Sequence, residues 1–180
     1  MKRLRLVLWV PALVFVIFVA VFAQSLSKQD PEKEKVTPSA LVGQSLPEFT
    51  LQPATSGVPG LSSADFRRGQ PMLVNIFASW CGPCATESRQ LAALSRQGVN
   101  VVGIAIRDRP EDLARFLAYY GNPFRAIGAD VDRHVQLEIG SAGVPETFII
   151  DGRGIIRHQH IGAITDSDMP TILAQYEAAR

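Results

Sequence analysis

The stretch Met72–Cys84, MLVNIFASWCGPC, decides the fold of this chain. Its first part, Met72–Ala78, is a mostly apolar run and predicts a buried central strand. The residues that follow, Cys84–Arg96, have the pattern of a helix, and Gly98 lies just past the end of that helix. A buried strand that leads through two cysteines into a helix is therefore the starting point for interpreting the domain.

Both cysteines of the chain lie at this junction, in the motif Trp80-Cys81-Gly82-Pro83-Cys84. A sulfur at a helix N-terminus faces unpaired backbone N–H groups and the positive end of the helix dipole, which stabilise the nucleophilic thiolate. Two intervening residues bring the second sulfur within bonding distance, and Pro83 suits the first turn because its missing N–H is not needed there. The motif predicts a redox-active disulfide between Cys81, which attacks, and Cys84, which resolves, with Trp80, Gly82 and Pro83 in support.

Three other interpretations of the cysteines remain open: a structural bridge, a zinc site and inert buried thiols, of which the last would not explain the Cys-x-x-Cys spacing or its position. A structural bridge across so short a loop would remove little entropy from the unfolded chain. A zinc site would need two further ligands. His158 and His160 are one residue apart on a predicted strand, a spacing that fits no standard metal site. We therefore predict a redox pair with no bound metal and no cofactor.

The N-terminal residues have the composition of a membrane anchor. Met1–Arg5 carries three positive charges, and Leu6–Ala23 has no charged side chain over eighteen residues, which is near the minimum for a helical span. The basic flank places the N-terminus in the cytoplasm and the rest of the chain outside it. A cleaved signal peptide is the alternative, although this apolar run is longer than usual for one.

These patterns divide the chain into a transmembrane anchor at 1–23, a flexible linker at 24–40 and a domain at 41–180. The linker mixes Lys, Glu, Ser and Pro and has almost nothing to bury. Residues 36–180 contain 12 basic and 14 acidic side chains. The domain lacks the basic excess that binding to phosphates requires, so we expect no nucleic-acid partner.

The remaining patterns of the domain alternate between strands and helices. The predicted strands are Leu46–Leu51, Met72–Ala78, Val99–Ile106, Thr147–Ile150 and Ile155–Ile161. The predicted helices are Leu61–Phe66, Cys84–Arg96, Glu111–Tyr120, Asp132–Ile139 and a last one capped by Asp166 or Ser167 and running to about Ala179. This order predicts an α/β domain, a mixed central sheet with helices on both faces. The first strands should be parallel, and the last pair should form an antiparallel hairpin.

The segment Phe77–Cys84 resembles the active site of the thioredoxin superfamily, and the similarity extends in element order from about Leu41 to the C-terminus. Within that superfamily the chain is most similar to the exported, membrane-tethered reductants of cytochrome c maturation, the CcmG/DsbE class. Three stretches carry this closer similarity: Leu73–Trp80, Cys84–Glu87 and Gly143–Asp151. The resemblance implies a thioredoxin-like fold, preceded by one transmembrane helix in a bacterial inner membrane, with the domain in the periplasm. It also implies electrons from a membrane thiol-transfer protein, and apocytochrome c as the substrate.

The resemblance also assigns roles to residues around the dithiol. It implies that Pro145 is cis and faces the dithiol, while Val144 offers its backbone to the substrate. Glu87 follows Cys84 by three residues on one helix face and could relay its proton; the alternative is an acid favoured only by the helix dipole. Glu146 is implied to act on the dithiol, and its alternative is a solvated loop acid.

Three other features of the sequence add little to the functional prediction. Thioredoxin has a buried aspartate six residues before its first cysteine, where this chain has Asn75, so proton handling must come from another group. The acidic and basic residues of Arg107–Asp112 indicate a solvated helix start. Three aromatic residues of the helix that follows are interpreted as its core and surface, not as a binding cage: Phe116, Tyr119 and Tyr120.

The predicted reaction is disulfide exchange through a mixed disulfide with an exported protein. Three alternatives remain: a general periplasmic reductant or oxidant, a thiol peroxidase, and a non-catalytic metal or haem chaperone that uses the thiols as ligands. Peroxidase cysteines usually lack this Cys-x-x-Cys geometry. Tight metal binding without reductase activity would favour the chaperone.

Overall fold

A computed structural model describes residues 14–22, 24 and 41–180 of the chain. Residues 14–22 are helical. Within the described part of the chain, no helix is both long enough and apolar enough to cross a membrane. The predicted anchor and linker lie largely outside the described residues and stay predictions. The elements numbered below belong to the compact unit Pro38–Arg180.

The domain alternates strands and helices, as its sequence predicts. The strands are β1 (Thr50–Leu51), β2 (Leu61–Ser62), β3 (Met72–Phe77), β4 (Val101–Ile106), β5 (Ile127–Asp130), β6 (Glu146–Ile150) and β7 (Ile156–Ile161). The helices are α1 (Gly82–Arg96), α2 (Pro110–Tyr120), α3 (His134–Glu138) and α4 (Met169–Ala178), and a 3-10 helix spans Ser63–Arg67.

Five of these strands form the central sheet, in the order β5-β4-β3-β6-β7. β3, β4 and β5 are parallel, whereas β6 and β7 run antiparallel to their neighbours. The prediction of a mixed sheet that ends in a hairpin is confirmed. Every residue of β4 and β6 is buried, so both faces of the sheet are covered at these strands.

The prediction that the first strand runs parallel to the strands after it is wrong. β1 does not join the parallel strands but pairs antiparallel with β2 in a separate two-stranded sheet. The chain before it forms an isolated bridge from Ser45 to Ile155, just before β7, and the chain after it forms an isolated bridge from Pro53 to Gly128 of β5. Only two residues of the predicted Leu46–Leu51 strand therefore have regular strand pairing.

The predictions from the sequence also miss one strand and misplace the start of one helix. β5 was not predicted, because its four residues include Gly128 and give too short an alternation to detect. The last helix begins at Met169 and not after a cap at Asp166 or Ser167. Asp168 precedes it, and its carboxylate accepts hydrogen bonds from the Thr165 N–H and hydroxyl at 2.8 and 2.5 Å.

The topology brings several loops to one edge of the sheet. Because β3, β4 and β5 are parallel, their carboxyl ends lie at the same edge. β6 runs the other way and pairs Glu146 with Ile76, so the residues that precede Glu146 also lie at this edge. The cysteines follow β3 directly, which places them there too.

Candidate redox site

The two cysteines form a disulfide at the start of α1. The sulfurs are 2.02 Å apart, and the Cα atoms are 5.3 Å apart. Cys81 is the N-cap of α1, and its sulfur accepts a hydrogen bond from the Cys84 N–H at 3.2 Å. Cys84 is 2% exposed and Cys81 is 5% exposed. In the reduced protein the same N–H and the helix dipole would stabilise a thiolate on Cys81, so the geometry suits Cys81 as the nucleophile.

The loop before Cys81 is fixed by the segment that follows β4. Both carboxylate oxygens of Asp108 accept hydrogen bonds from Ser79, one from its N–H at 2.5 Å and one from its hydroxyl at 2.6 Å. The Trp80 indole N–H donates to the Arg107 carbonyl at 3.2 Å. Arg107 has φ of 45°, a left-handed conformation that is costly for a residue other than glycine. The interpretation of this segment as only a solvated helix start is therefore wrong for Asp108.

Glu87 is a fully buried carboxyl on α1, with 0% exposure. One carboxylate oxygen accepts from the Asn75 amide and the other from the Ile164 N–H, both at 2.9 Å. Burial raises the pKa of Glu87 to about 7, although the two hydrogen bonds oppose the shift. Glu87 lies beyond the first turn of the helix and away from water, so the interpretation as an acid favoured only by the dipole is wrong.

Asn75 links this carboxyl to the sheet. Its amide N–H₂ also donates to the Thr147 hydroxyl at 3.0 Å, and the two residues are register partners across β3 and β6. The Asn75 side-chain oxygen is buried without a hydrogen-bond partner. If the amide is reversed, that oxygen faces Glu87 and can accept a hydrogen bond from the protonated carboxyl, so the preferred orientation of the amide depends on the ionisation of Glu87. The carboxyl on the helix is therefore titratable, whereas its partner on the strand is neutral in both states.

The loop before β6 carries a cis peptide bond between Val144 and Pro145, as the resemblance implies. The Gly143 carbonyl in this loop accepts hydrogen bonds from the Gln136 amide at 3.2 Å and from the Ser141 hydroxyl at 3.1 Å. Gln136 is fully buried and was not predicted as a site residue. It lies on the short helix α3, which the sequence predicts, but its contact with Gly143 depends on the fold of the loop before β6 and has no signal in the sequence pattern.

Glu146 stabilises the same loop from the other side. It is 1% exposed, which makes the solvated-acid interpretation wrong. One carboxylate oxygen accepts from the Ala142 N–H at 3.1 Å, and the other accepts from the Gln159 amide. The structure thus places Glu146 as a group that fixes the backbone before Pro145.

The histidines do not complete a metal site. No group of three His, Cys, Asp or Glu side chains within residues 14–22, 24 and 41–180 has the arrangement of metal ligands. Burial, and then the charge of neighbouring His160, lower the pKa of His158. Both side chains are partly buried on β7, where they pair with residues of β6.

Known proteins are similar to this chain in sequence and in fold. The family model that matches is Redoxin, over residues 41–175. The thiol:disulfide interchange protein HelX of Rhodobacter capsulatus is 36% identical over 159 residues, which cover 88% of each chain. The thiol:disulfide interchange protein DsbE of Vibrio cholerae is 34% identical over 173 residues, covering 93% of this chain and 91% of that protein.

A solved structure shares the fold at lower identity. The secreted disulfide oxidoreductase of Mycobacterium tuberculosis superposes with a TM-score of 0.59 at 21% identity and covers 73% of this chain. At that identity the likeness concerns the fold alone, which is thioredoxin-like. The relatives of higher identity add the chemistry that the cysteine geometry supports. This chain belongs to the redoxin family, among its thiol:disulfide interchange proteins, and is a dithiol–disulfide oxidoreductase that acts on protein disulfides.

Proposed function

We propose that the protein is anchored in a bacterial inner membrane by residues 1–23 and reduces the disulfide of apocytochrome c in the periplasm before haem is attached. The apolar run at Leu6–Ala23 and its basic flank support the anchor and its orientation. The similarity to the HelX and DsbE proteins supports the assignment to the cytochrome c pathway. A thiol-transfer protein in the membrane supplies the electrons.

The structural observation that supports the exchange step of this proposal is the buried carboxyl of Glu87, three residues after Cys84. The attack by Cys84 on the mixed disulfide requires loss of its thiol proton. With a pKa of about 7, Glu87 can accept that proton near neutral pH and return it when the enzyme is re-reduced. An ordinary exposed carboxylate holds a proton too weakly for this exchange.

The proposed exchange has two steps. The Cys81 thiolate attacks one sulfur of the substrate disulfide, and the other substrate sulfur leaves as a thiolate that takes a proton. Cys84 transfers its proton toward Glu87 and attacks the Cys81 sulfur, which forms the Cys81–Cys84 disulfide and releases the second substrate thiolate. Two electrons pass to the substrate, and the donor returns two electrons to the oxidised enzyme.

The second function to distinguish is a general oxidoreductase of exported proteins. The direction of electron flow depends on reduction potentials, and a difference of about 30 mV corresponds to ~1.4 kcal/mol. Thiol alkylation in cells gives the resting state of the pair. A reductant should have Cys81 and Cys84 mainly as thiols, whereas an oxidant should have them as a disulfide.

The Cys84→Ser variant tests the substrate. It retains the attacking thiolate and lacks the resolving one, so it should accumulate a mixed disulfide through Cys81, and the trapped partner should be an apocytochrome c. The matched control is Cys81→Ser, which should trap nothing. A broad set of secreted proteins in place of a cytochrome would refute the pathway assignment. A trap that holds no protein would refute the mechanism.

A further inference from the structure

An open cleft lies beside the disulfide and has no part in the exchange steps. Its volume is about 560 Å³. Ser79 and Trp80, which directly precede Cys81, line one side, and side chains of α2 line the other: Arg115, Phe116, Tyr119 and Tyr120. The cleft therefore adjoins the segment that leads directly into Cys81.

Four aromatic residues form the larger part of the lining, and we refer to them as the aromatic wall: Trp80, Phe116, Tyr119 and Tyr120. Phe116 is in the core, but Trp80 is 59% exposed, Tyr119 81% and Tyr120 44%. The Tyr120 ring lies 4.9 Å from the Phe116 ring and 4.7 Å from the Tyr119 ring, centroid to centroid. Exposed aromatic side chains grouped in this way are typical of protein–protein contact sites.

We propose that the aromatic wall binds an apolar side chain of the substrate polypeptide, within a few residues of the cysteine that Cys81 attacks. The inference rests on the proposed function in requiring a protein disulfide as substrate. It adds a residue preference that the cysteine motif does not supply. The occupant follows from position. Trp80 lines the cleft and directly precedes Cys81, and an extended chain advances about 3.3 Å per residue, so a side chain a few residues from the attacked cysteine can reach the cleft.

The charges of the cleft favour an apolar occupant. The Arg115 guanidinium is in an ion pair with Asp112, which also lines the cleft. The cleft thus has no unpaired charge among its lining residues to select an acidic or basic segment, and the aromatic rings provide the contact area. A large apolar side chain gains most from such a surface.

Two members of the wall, Trp80 and Phe116, are held by the domain before the substrate arrives. The Trp80 indole N–H is held by the Arg107 carbonyl, and Asp108 fixes the Ser79 backbone and hydroxyl. Phe116 lies 6.1 Å, centroid to centroid, from Phe77 of the core strand β3. Little conformational entropy is lost when a rigid surface binds, so these contacts can contribute to affinity.

The test compares two synthetic peptides, each with one Cys-x-x-Cys disulfide, flanked by Phe in one peptide and by Ser in the other. The second-order rate constant of exchange is measured with the reduced full-length protein in detergent. The wild type should prefer the Phe peptide about fivefold. In the double variant Tyr119→Ala, Tyr120→Ala, this preference should fall to near one. Tyr119→Phe, which retains the ring, should keep the preference.

A matched control is Val42→Ala, which removes an exposed apolar side chain elsewhere and should keep the preference. Val42 precedes Gly43, whose N–H bonds to Ile156 at the far end of β7 from the redox edge. Equal rates for the two peptides in the wild type, or an unchanged preference in the double variant, would overturn the role of the wall. A protein that reduces neither peptide would overturn the proposed function and the wall together. A preference that vanishes as protein concentration rises would assign the wall to a second copy of the chain and also overturn the proposal.

Discussion

Replacement of Glu87 by Gln should remove a pH dependence of stability that burial of this carboxyl imposes. Glutamine has nearly the same size, and its carbonyl can still accept the Ile164 N–H. Its amide N–H₂ can face the Asn75 oxygen once the Asn75 amide is reversed. The substitution therefore removes ionisation while it preserves packing, so a change in stability reports the charge of Glu87.

The magnitude follows from the pKa of Glu87, which rises from 4.5 to about 7 on folding. That rise corresponds to about 3 kcal/mol, and the side chain is fully buried, so solvent does not reduce it. The folded state binds the proton more tightly than the unfolded state. The contribution to stability is complete below pH 4.5 and is lost as the pH rises through about 7. Between these limits the wild type should lose about 3 kcal/mol more free energy of unfolding than Glu87→Gln.

The assay is urea unfolding of the oxidised full-length protein in detergent, followed by tryptophan fluorescence between pH 4.5 and pH 8. Other titrating groups are common to both proteins and cancel in the difference between them. The control is Glu177→Gln, which removes the charge of an exposed acid on α4, so that burial of the carboxyl is the feature that distinguishes the two variants. A Glu87→Gln difference that is the same at both ends of the range would refute the argument that Glu87 is buried with a raised pKa.

Three further results are expected. Iodoacetamide should label Cys81 first in the reduced protein, at a pH below that of a free cysteine, because the helix N-terminus stabilises its thiolate; equal labelling of both thiols only at high pH would contradict this. A fragment without residues 1–35 should fold by circular dichroism and still reduce small disulfides, and loss of its helical signal would show that the N-terminal segment is needed. Burial opposes ionisation of Asp151, but hydrogen bonds from the Ile155 N–H and from Arg157 outweigh this effect and lower the pKa of Asp151 to about 2. Asp151→Asn should therefore reduce the free energy of unfolding of the domain by about 2 kcal/mol at pH 7. That difference should disappear as the pH falls from 3.8 to about 2, which urea unfolding over this range would measure.

The parts of the fold that the sequence predicts are those determined by local patterns. β3 and α1 were predicted because a continuous apolar run ends at a cysteine motif and a helical period begins. The β6–β7 hairpin was predicted from its turn residues. β5 was missed because a four-residue strand that contains a glycine has no detectable period, and its pairing with β4 is a long-range contact.

The surroundings of the dithiol could be predicted only in part. Spacing places Glu87 on the same helix face as Cys84, but its burial depends on Ile164, which is 77 residues away in sequence. The role of Asp108 depends on the parallel pairing of β3 and β4, which brings the segment after β4 beside Ser79. Sequence patterns identify the reactive atoms, whereas the groups that set their protonation come from distant segments.

The position of Asn75, where thioredoxin has an aspartate, suits a neutral side chain for a physical reason. Its amide lies 2.9 Å from the Glu87 carboxylate. An aspartate here would put two carboxyls within hydrogen-bond distance in a buried site, where both cannot be ionised and the pair would share one proton. Its titration would then belong to the pair, with one pKa well above that of Glu87 alone. A neutral amide avoids this repulsion and can donate to ionised Glu87 or, when reversed, accept from protonated Glu87. The carboxyl on the helix and the asparagine on the strand therefore form one hydrogen-bonded pair, in which Glu87 alone can ionise.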